Sequence, residues 1–240
     1  MIKRTILALL ALLLVVSPVR AVDDGDLRVV ASARVVFGHQ SVGWNIIDAM
    51  RATYQDRNVG LLVVDGSENL PATGGGFAQV EIGVNGDPAS KFDAFAAAVS
   101  DGVAVEVAAM KLCFVDITSG TDVPAVFRQY TSMVNALQAS HPQTALVHFT
   151  VPLTVDDPAS NLKRQRYNIL MRRRYGSALV DLARIESTRP NGSRVAGRWR
   201  GHRYYALFRG YAADEGHLNG RGANRVAAAF VTTLAAHAVR

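Results

Sequence analysis

The chain has 240 residues, 49% of them hydrophobic, and a formal charge of +6. Three of the positive charges, Lys3, Arg4 and Arg20, lie in an N-terminal stretch without acids, so the remainder carries +3, too little to argue for a nucleic-acid or membrane partner. One cysteine, Cys113, excludes an intrachain disulfide, and its apolar neighbours point to a buried, inert thiol.

Lys3 and Arg4 precede an apolar run from Ile6 to Val16, Pro18 breaks it, and Val19-Arg20-Ala21 supplies small residues for cleavage. Residues 1–21 therefore read as a secretory signal peptide cut after Ala21, its apolar run too short to span a bilayer comfortably. The expected compartment is the periplasm or the exterior, with no integral membrane segment left after cleavage. Val22 to Leu27 reads as an acidic, loose lead-in. A β-branched run from Arg34 ends near Phe37, and a helix with apolar residues at three- and four-residue spacing follows from Val42 to about Tyr54. Val59 to Val64 reads as a second strand. Ser67 to Asp87, with Gly74-Gly75-Gly76, reads as a long loop of the kind that often carries function.

Asp87-Pro88 caps and opens a helix through Phe92, Phe95 and Val99. Val103 to Met110 is a third strand, Asp122 and Pro124 start a helix that runs to about Ser140, and Thr144 to Val151 is a fourth strand stopped by Pro152. Asn161 to Tyr175 is a helix, Ala178 to Leu182 a fifth strand, and Gly222 to Val239 a final amphipathic helix. Arg184 to Gly210 reads as irregular and carries seven arginines with Trp199, Tyr204 and Tyr205. Strands alternating with helices predict an α/β fold whose parallel sheet is covered on both faces. No repeat, low-complexity tract or long linker divides residues 22–240, which read as one domain.

Two stretches carry the chemistry. Arg34 to Gly43 reads strand, tight turn, helix, with Ser41 at the turn. In a parallel sheet this lies at the carboxyl end of a strand, beside helix N–H groups that lack partners. Ser41 is there either a nucleophile or an ordinary N-cap. Before the last helix stands Asp214-Glu215-Gly216-His217-Leu218-Asn219, where an acid three residues ahead of a histidine folds back onto one ring nitrogen in a turn. That is the orienter-and-base half of a triad, or a solvated turn beside a helix cap.

With a serine after the first strand and a D-x-x-H block near the C terminus, the chain resembles the SGNH/GDSL hydrolase superfamily. In particular it is similar to a secreted branch with F-G-H-Q-S-V-G, N-G-D-P and G-H-L-N stretches. The resemblance implies a three-layer α/β/α sandwich on a five-stranded parallel sheet of flavodoxin-like order. It also implies Ser41 as nucleophile, His217 as general base and acid, and Asp214 as its orienter. The oxyanion would be held by backbone N–H groups of Ser41 and of the Asn85-Gly86 turn, with Gly86 the matching glycine. The family's G-x-N-D block after the third strand is replaced by Met110-Lys111-Leu112-Cys113-Phe114-Val115-Asp116. Lys111 and Asp116, with His39 and Gln40 beside the serine, are the further polar candidates for the pocket.

His148, between Val147 and Phe149, reads as a core histidine. No His, Cys and Asp cluster has metal-ligand spacing, and no phosphate-binding glycine motif is present, so neither a metal nor a nucleotide cofactor is expected. The arginines of the fourth helix read as a solvated face. The expected function is a serine esterase acting on a small ester or an acylated carbohydrate. The altered block after the third strand motivates the other reading, a non-catalytic module that binds an extracellular polymer.

Overall fold

The computed structural model describes residues 22–102 and 104–238; the signal-peptide reading falls outside them. Six parallel strands form the main sheet: β1 (Arg34–His39), β2 (Val63–Asp65), β3 (Gly76–Glu81), β4 (Val107–Met110), β5 (Ala145–Phe149) and β6 (Leu179–Val180). Their order across the sheet is β2-β3-β1-β4-β5-β6. Helices α1 (Asp24–Ser32), α2 (Val42–Asp56), α6 (Leu182–Ser187) and α7 (Gly220–Ala238) cover one face, and α3 (Pro88–Ser100), α4 (Val123–Ser140) and α5 (Pro158–Tyr175) the other.

Alternation along the central strand divides the core. Val35 and Phe37 point to the face of α1, α2 and α7, whereas Val36 joins the opposite cluster with Phe92, Tyr130 and Tyr167. Both sets are buried, as a sheet with helices on both sides requires. On the first face Phe230 of α7 meets Phe37, Phe149 and Phe77 with ring centroids 4.8, 4.9 and 6.2 Å apart. The three-layer α/β/α architecture is as expected from the sequence.

The sheet has six strands, not five. The additional strand, β3, lies inside the segment read as a glycine-rich loop and occupies the place beside β1. A Cβ on Gly75 would run into the backbone of Ala31 and Ser32, so the glycine there admits β3 past the end of α1. The polar Gln79 in mid-strand masked the pattern because its amide is used inside the fold, between His39 and Asp65. Strands β3-β1-β4-β5-β6 keep the flavodoxin-like order, and β2 is an added edge.

Two further segments differ from expectation. The acidic lead-in is helix α1: Asp23 caps it by accepting from the Asp26 N–H at 2.8 Å, and Leu27 and Val30 are buried. Acids in a first turn complement the helix dipole, so the charges that suggested a loose terminus mark a helix start. The arginine-rich stretch contains α6 and an antiparallel hairpin, β7 (Ala196–Trp199) and β8 (His202–Tyr205). Its two-residue connection, Arg200-Gly201, has φ of +48° and +80°, the left-handed pair that a tight hairpin needs.

Candidate active site

β1 delivers Ser41 to the carboxyl-end rim of the sheet, where α2 begins. Ser41 holds the N-cap position with φ +56° and ψ −113° and makes no side-chain capping bond. For a residue with a Cβ this is a sparsely populated conformation, of the sort kept where surrounding structure enforces it. The hydroxyl points instead to His217, with Oγ 2.7 Å from Nε2. Gly43, the second residue of α2, makes room: a Cβ there would strike the His39 ring.

His217 is set by the turn before α7. Its Nδ1 is 2.8 Å from Asp214 Oδ2, while Asp214 Oδ1 accepts the N–H groups of Gly216 and His217, each at 2.8 Å. Those two backbone donors are the main reason the Asp214 carboxyl is held down to about 2, with the imidazole adding to the effect. An ionised carboxylate on Nδ1–H leaves Nε2 as the acceptor facing Ser41. The turn is braced twice more. Asn45 of α2 accepts the Leu218 N–H at 3.1 Å, and Phe114 sets its ring edge-on to the imidazole at 5.7 Å. Gly216 is needed there, because a Cβ would enter the Phe114 ring. The helix cap is Asn219, which accepts from the N–H groups of Arg221 and Gly222.

The loops around Ser41 are tied by side chains. Gln40 Nε2 donates to the carbonyls of Ile82 and Gly83 at 2.9 and 2.6 Å, drawing the loop after β3 to the serine. Gln40 thus acts on the loop, not on the pocket. Asp116, buried, joins that loop to the one after β4: Oδ1 accepts the Gly86 N–H at 2.8 Å, and Oδ2 accepts the Cys113 N–H at 2.6 Å and the Lys91 ammonium at 2.7 Å. Lys91 also donates to Asn85 Oδ1 at 2.8 Å.

These contacts correct several expectations. Gly86 is not a free oxyanion donor, because Asp116 takes its N–H. Asn85 has its carbonyl oxygen held by Lys91, which leaves its amide nitrogen without a partner among the described residues. The Ser41 N–H is likewise unbonded among them. His39 does not face the pocket. It is fully buried, stacked on Phe37, and its Nε2 meets Gln79 Oε1 at 2.9 Å. Burial, helped by nearby Lys111, lowers its pKa to about 4, so it is neutral. Lys111 is also fully buried: its ammonium lies 3.3 Å from the Leu112 carbonyl and 3.6 Å from Cys113 Sγ, and desolvation lowers its pKa. Both residues form the floor below the loops. Cys113 is a buried free thiol, as read from its neighbours.

Lys91, Asn45, Gln79 and Phe114 were not foreseen. Each acts through a partner distant in sequence, and no local motif marks any of them. Among the described residues no group of His, Cys, Asp and Glu is placed to hold a metal, and no helix is long and apolar enough to cross a membrane.

No family model matches the chain, and no curated protein matches it in sequence. Solved structures do match its fold. One, provisionally assigned as a platelet activating factor from Streptococcus pneumonia, aligns with TM-score 0.55 over 86% of this chain and 89% of its own, at 13% identity. Another, provisionally described as a lipolytic protein of the G-D-S-L family from Desulfitobacterium hafniense DCB-2, aligns with TM-score 0.51 over 84% of this chain and 99% of its own, at 8% identity. The chain has an SGNH hydrolase-like fold.

Proposed function

We propose that this SGNH-like chain is a serine ester hydrolase in which Ser41, His217 and Asp214 form the catalytic triad. The observation that carries the reading is the Ser41 hydroxyl, which leaves the capping position it occupies and meets His217 Nε2 at 2.7 Å. Ser41 Oγ attacks the ester carbonyl while His217 takes its proton, and Asp214 stabilises the resulting imidazolium. The tetrahedral oxyanion forms beside the N terminus of α2, where the Ser41 N–H and the helix dipole favour negative charge. The free amide nitrogen of Asn85 is a second donor in this reading, in place of the asparagine that the G-x-N-D block would supply. Collapse expels the alcohol, which receives the proton from His217. Water then attacks the acyl-serine by the same route in reverse.

The likeness to a lipolytic protein of the G-D-S-L family agrees with ester chemistry. The leader at residues 1–21 fits export to the periplasm or beyond, and an exported esterase suits an acylated carbohydrate or a small ester. The test is hydrolysis of short-chain aryl esters and acetylated sugars by wild type, Ser41→Ala and His217→Ala. Wild-type turnover that falls about a thousandfold or more in both variants, with the fold kept by circular dichroism, is expected. Equal rates in all three proteins, or none on any substrate, would overturn the reading in favour of a polymer-binding module.

A further inference from the structure

A second feature of the same rim is a groove between α5 and the β7–β8 hairpin. The hairpin rests on the helix, where Gln165 Nε2 donates to the Arg203 carbonyl at 3.2 Å. The hollow between them has a volume of about 230 Å³, and Ser119, Lys163, Arg166, Trp199, Arg200 and His202 are among the residues that line it. Lys163 and Arg166 also border a larger hollow, about 590 Å³, toward the start of α4, so the groove is continuous past the two cations.

Its charge is unbalanced. Neighbouring arginines on this side of the molecule have carboxylate partners: Arg164 with Asp157, Arg172 with Asp181, Arg209 with Asp156. Among the described residues, Lys163, Arg166 and Arg200 have none within ion-pair distance; Lys163 donates only to the Thr121 carbonyl at 2.9 Å. The one carboxylate on the wall, Asp122, caps α4 through the Ala125 N–H and sets a single negative charge against the three cations. Cations that outnumber the counter-charge in a cleft raise the local concentration of anions. Trp199 adds a flat apolar face that is 39% exposed, with the Arg200 guanidinium 5.8 Å from its ring centre.

The groove is tied to the serine's surroundings through the loop after β4. Phe114 touches the His217 ring, and five residues further on Ser119 lines the groove. Five residues of chain span at most about 17 Å, a length that a short oligosaccharide bridges.

We infer that this groove is an anchoring subsite for an anionic polysaccharide, a polymer with sugar carboxylates, whose ester group is thereby presented to Ser41. The cations meet the carboxylates and Trp199 stacks on a sugar ring. The inference rests on the ester-hydrolase reading, which also separates it from nucleic acid: that polyanion has no carboxylic ester to offer the triad.

The test uses the chain from Val22 onward carrying Ser41→Ala, so that binding is read without turnover. Dissociation constants are measured for sodium polygalacturonate, for dextran of equal length and for an oligothymidylate. Polygalacturonate is expected to bind at least about tenfold more tightly than either, a difference of about 1.4 kcal/mol. Trp199→Ala and the double variant Arg166→Ala/Arg200→Ala are each expected to weaken it about tenfold, the order of one lost stacking or ionic contact. Trp199→Phe should restore most of the loss. Equal binding of dextran, tighter binding of oligothymidylate, or parental affinity in both the tryptophan and the double-arginine variants would overturn the inference. Selective polygalacturonate binding beside a wild-type protein that hydrolyses no ester would instead count against the triad and leave the groove standing.

Discussion

At Ser41 backbone strain and the proposed nucleophile meet in one residue. A Cβ at φ +56° costs on the order of 1–3 kcal/mol, and no capping bond offsets it. Glycine relieves that cost, and alanine keeps it. Both variants lose the hydroxyl, so they differ chiefly in strain. Ser41→Gly is therefore expected to be more stable than Ser41→Ala by about 1 kcal/mol in urea denaturation, after allowing for the extra chain entropy of glycine. The opposite order would show that the turn is not strained. The hydrogen-bonded arrangement of Ser41, His217 and Asp214 was legible in the sequence because its information is local: a strand-ending serine, and an acid three residues before a histidine. His39, Lys111 and Gly86 stand in equally suggestive local contexts, yet His39 and Gly86 are claimed by partners far along the chain and Lys111 is sealed by burial. A hydrogen bond to Gln79, or one to Asp116, leaves no trace in the flanking residues.

Among the elements, α7 joins the site to the core. It follows the His217 turn directly, and Phe230 inserts into the ring cluster of β1, β3 and β5. Phe230→Ala removes a fully buried ring at a point where three strands converge. The expected cost is about 3–5 kcal/mol of unfolding free energy, read from the urea midpoint at constant slope. A loss below about 1 kcal/mol would mean that the cluster collapses around the gap. The long helices were readable from their periodicity and their Asp-Pro or Asp caps. Strand β3 and the β7–β8 hairpin were not, for opposite reasons. β3 carries a glutamine whose use is internal, and the hairpin turns on Arg200, a residue that local rules do not place at positive φ.

For the molecule as a whole, two buried histidines set the response to acid. Desolvation lowers His39 to about 4 and His148 to about 3; Tyr130 and Tyr175 enclose the latter. Unfolded, both take up protons below about pH 6.5. Folded, they stay neutral until their lower values are reached. Their contribution to stability is therefore complete above about pH 6.5 and drains away as the pH falls toward 4. At pH 4 each histidine costs on the order of 3 kcal/mol relative to neutral pH. Urea midpoints measured from pH 8 to 4 should fall across this window, and His148→Phe should flatten the fall. An unchanged slope in that variant would remove His148 from the account.

The hydrogen bond between Ser41 and His217 joins residues 176 positions apart. Asn45, just inside α2, reaches the same distant turn through Leu218. In the proposed hydrolase the nucleophile is thus synthesised early, with the first strand of the sheet, and the base only after the sixth. A chain emerging from its N terminus presents a serine with no imidazole beside it, and the relay closes only when the final helix docks. On that proposal competence is a late event of maturation: a chain that lacks the His217 turn carries an inert hydroxyl.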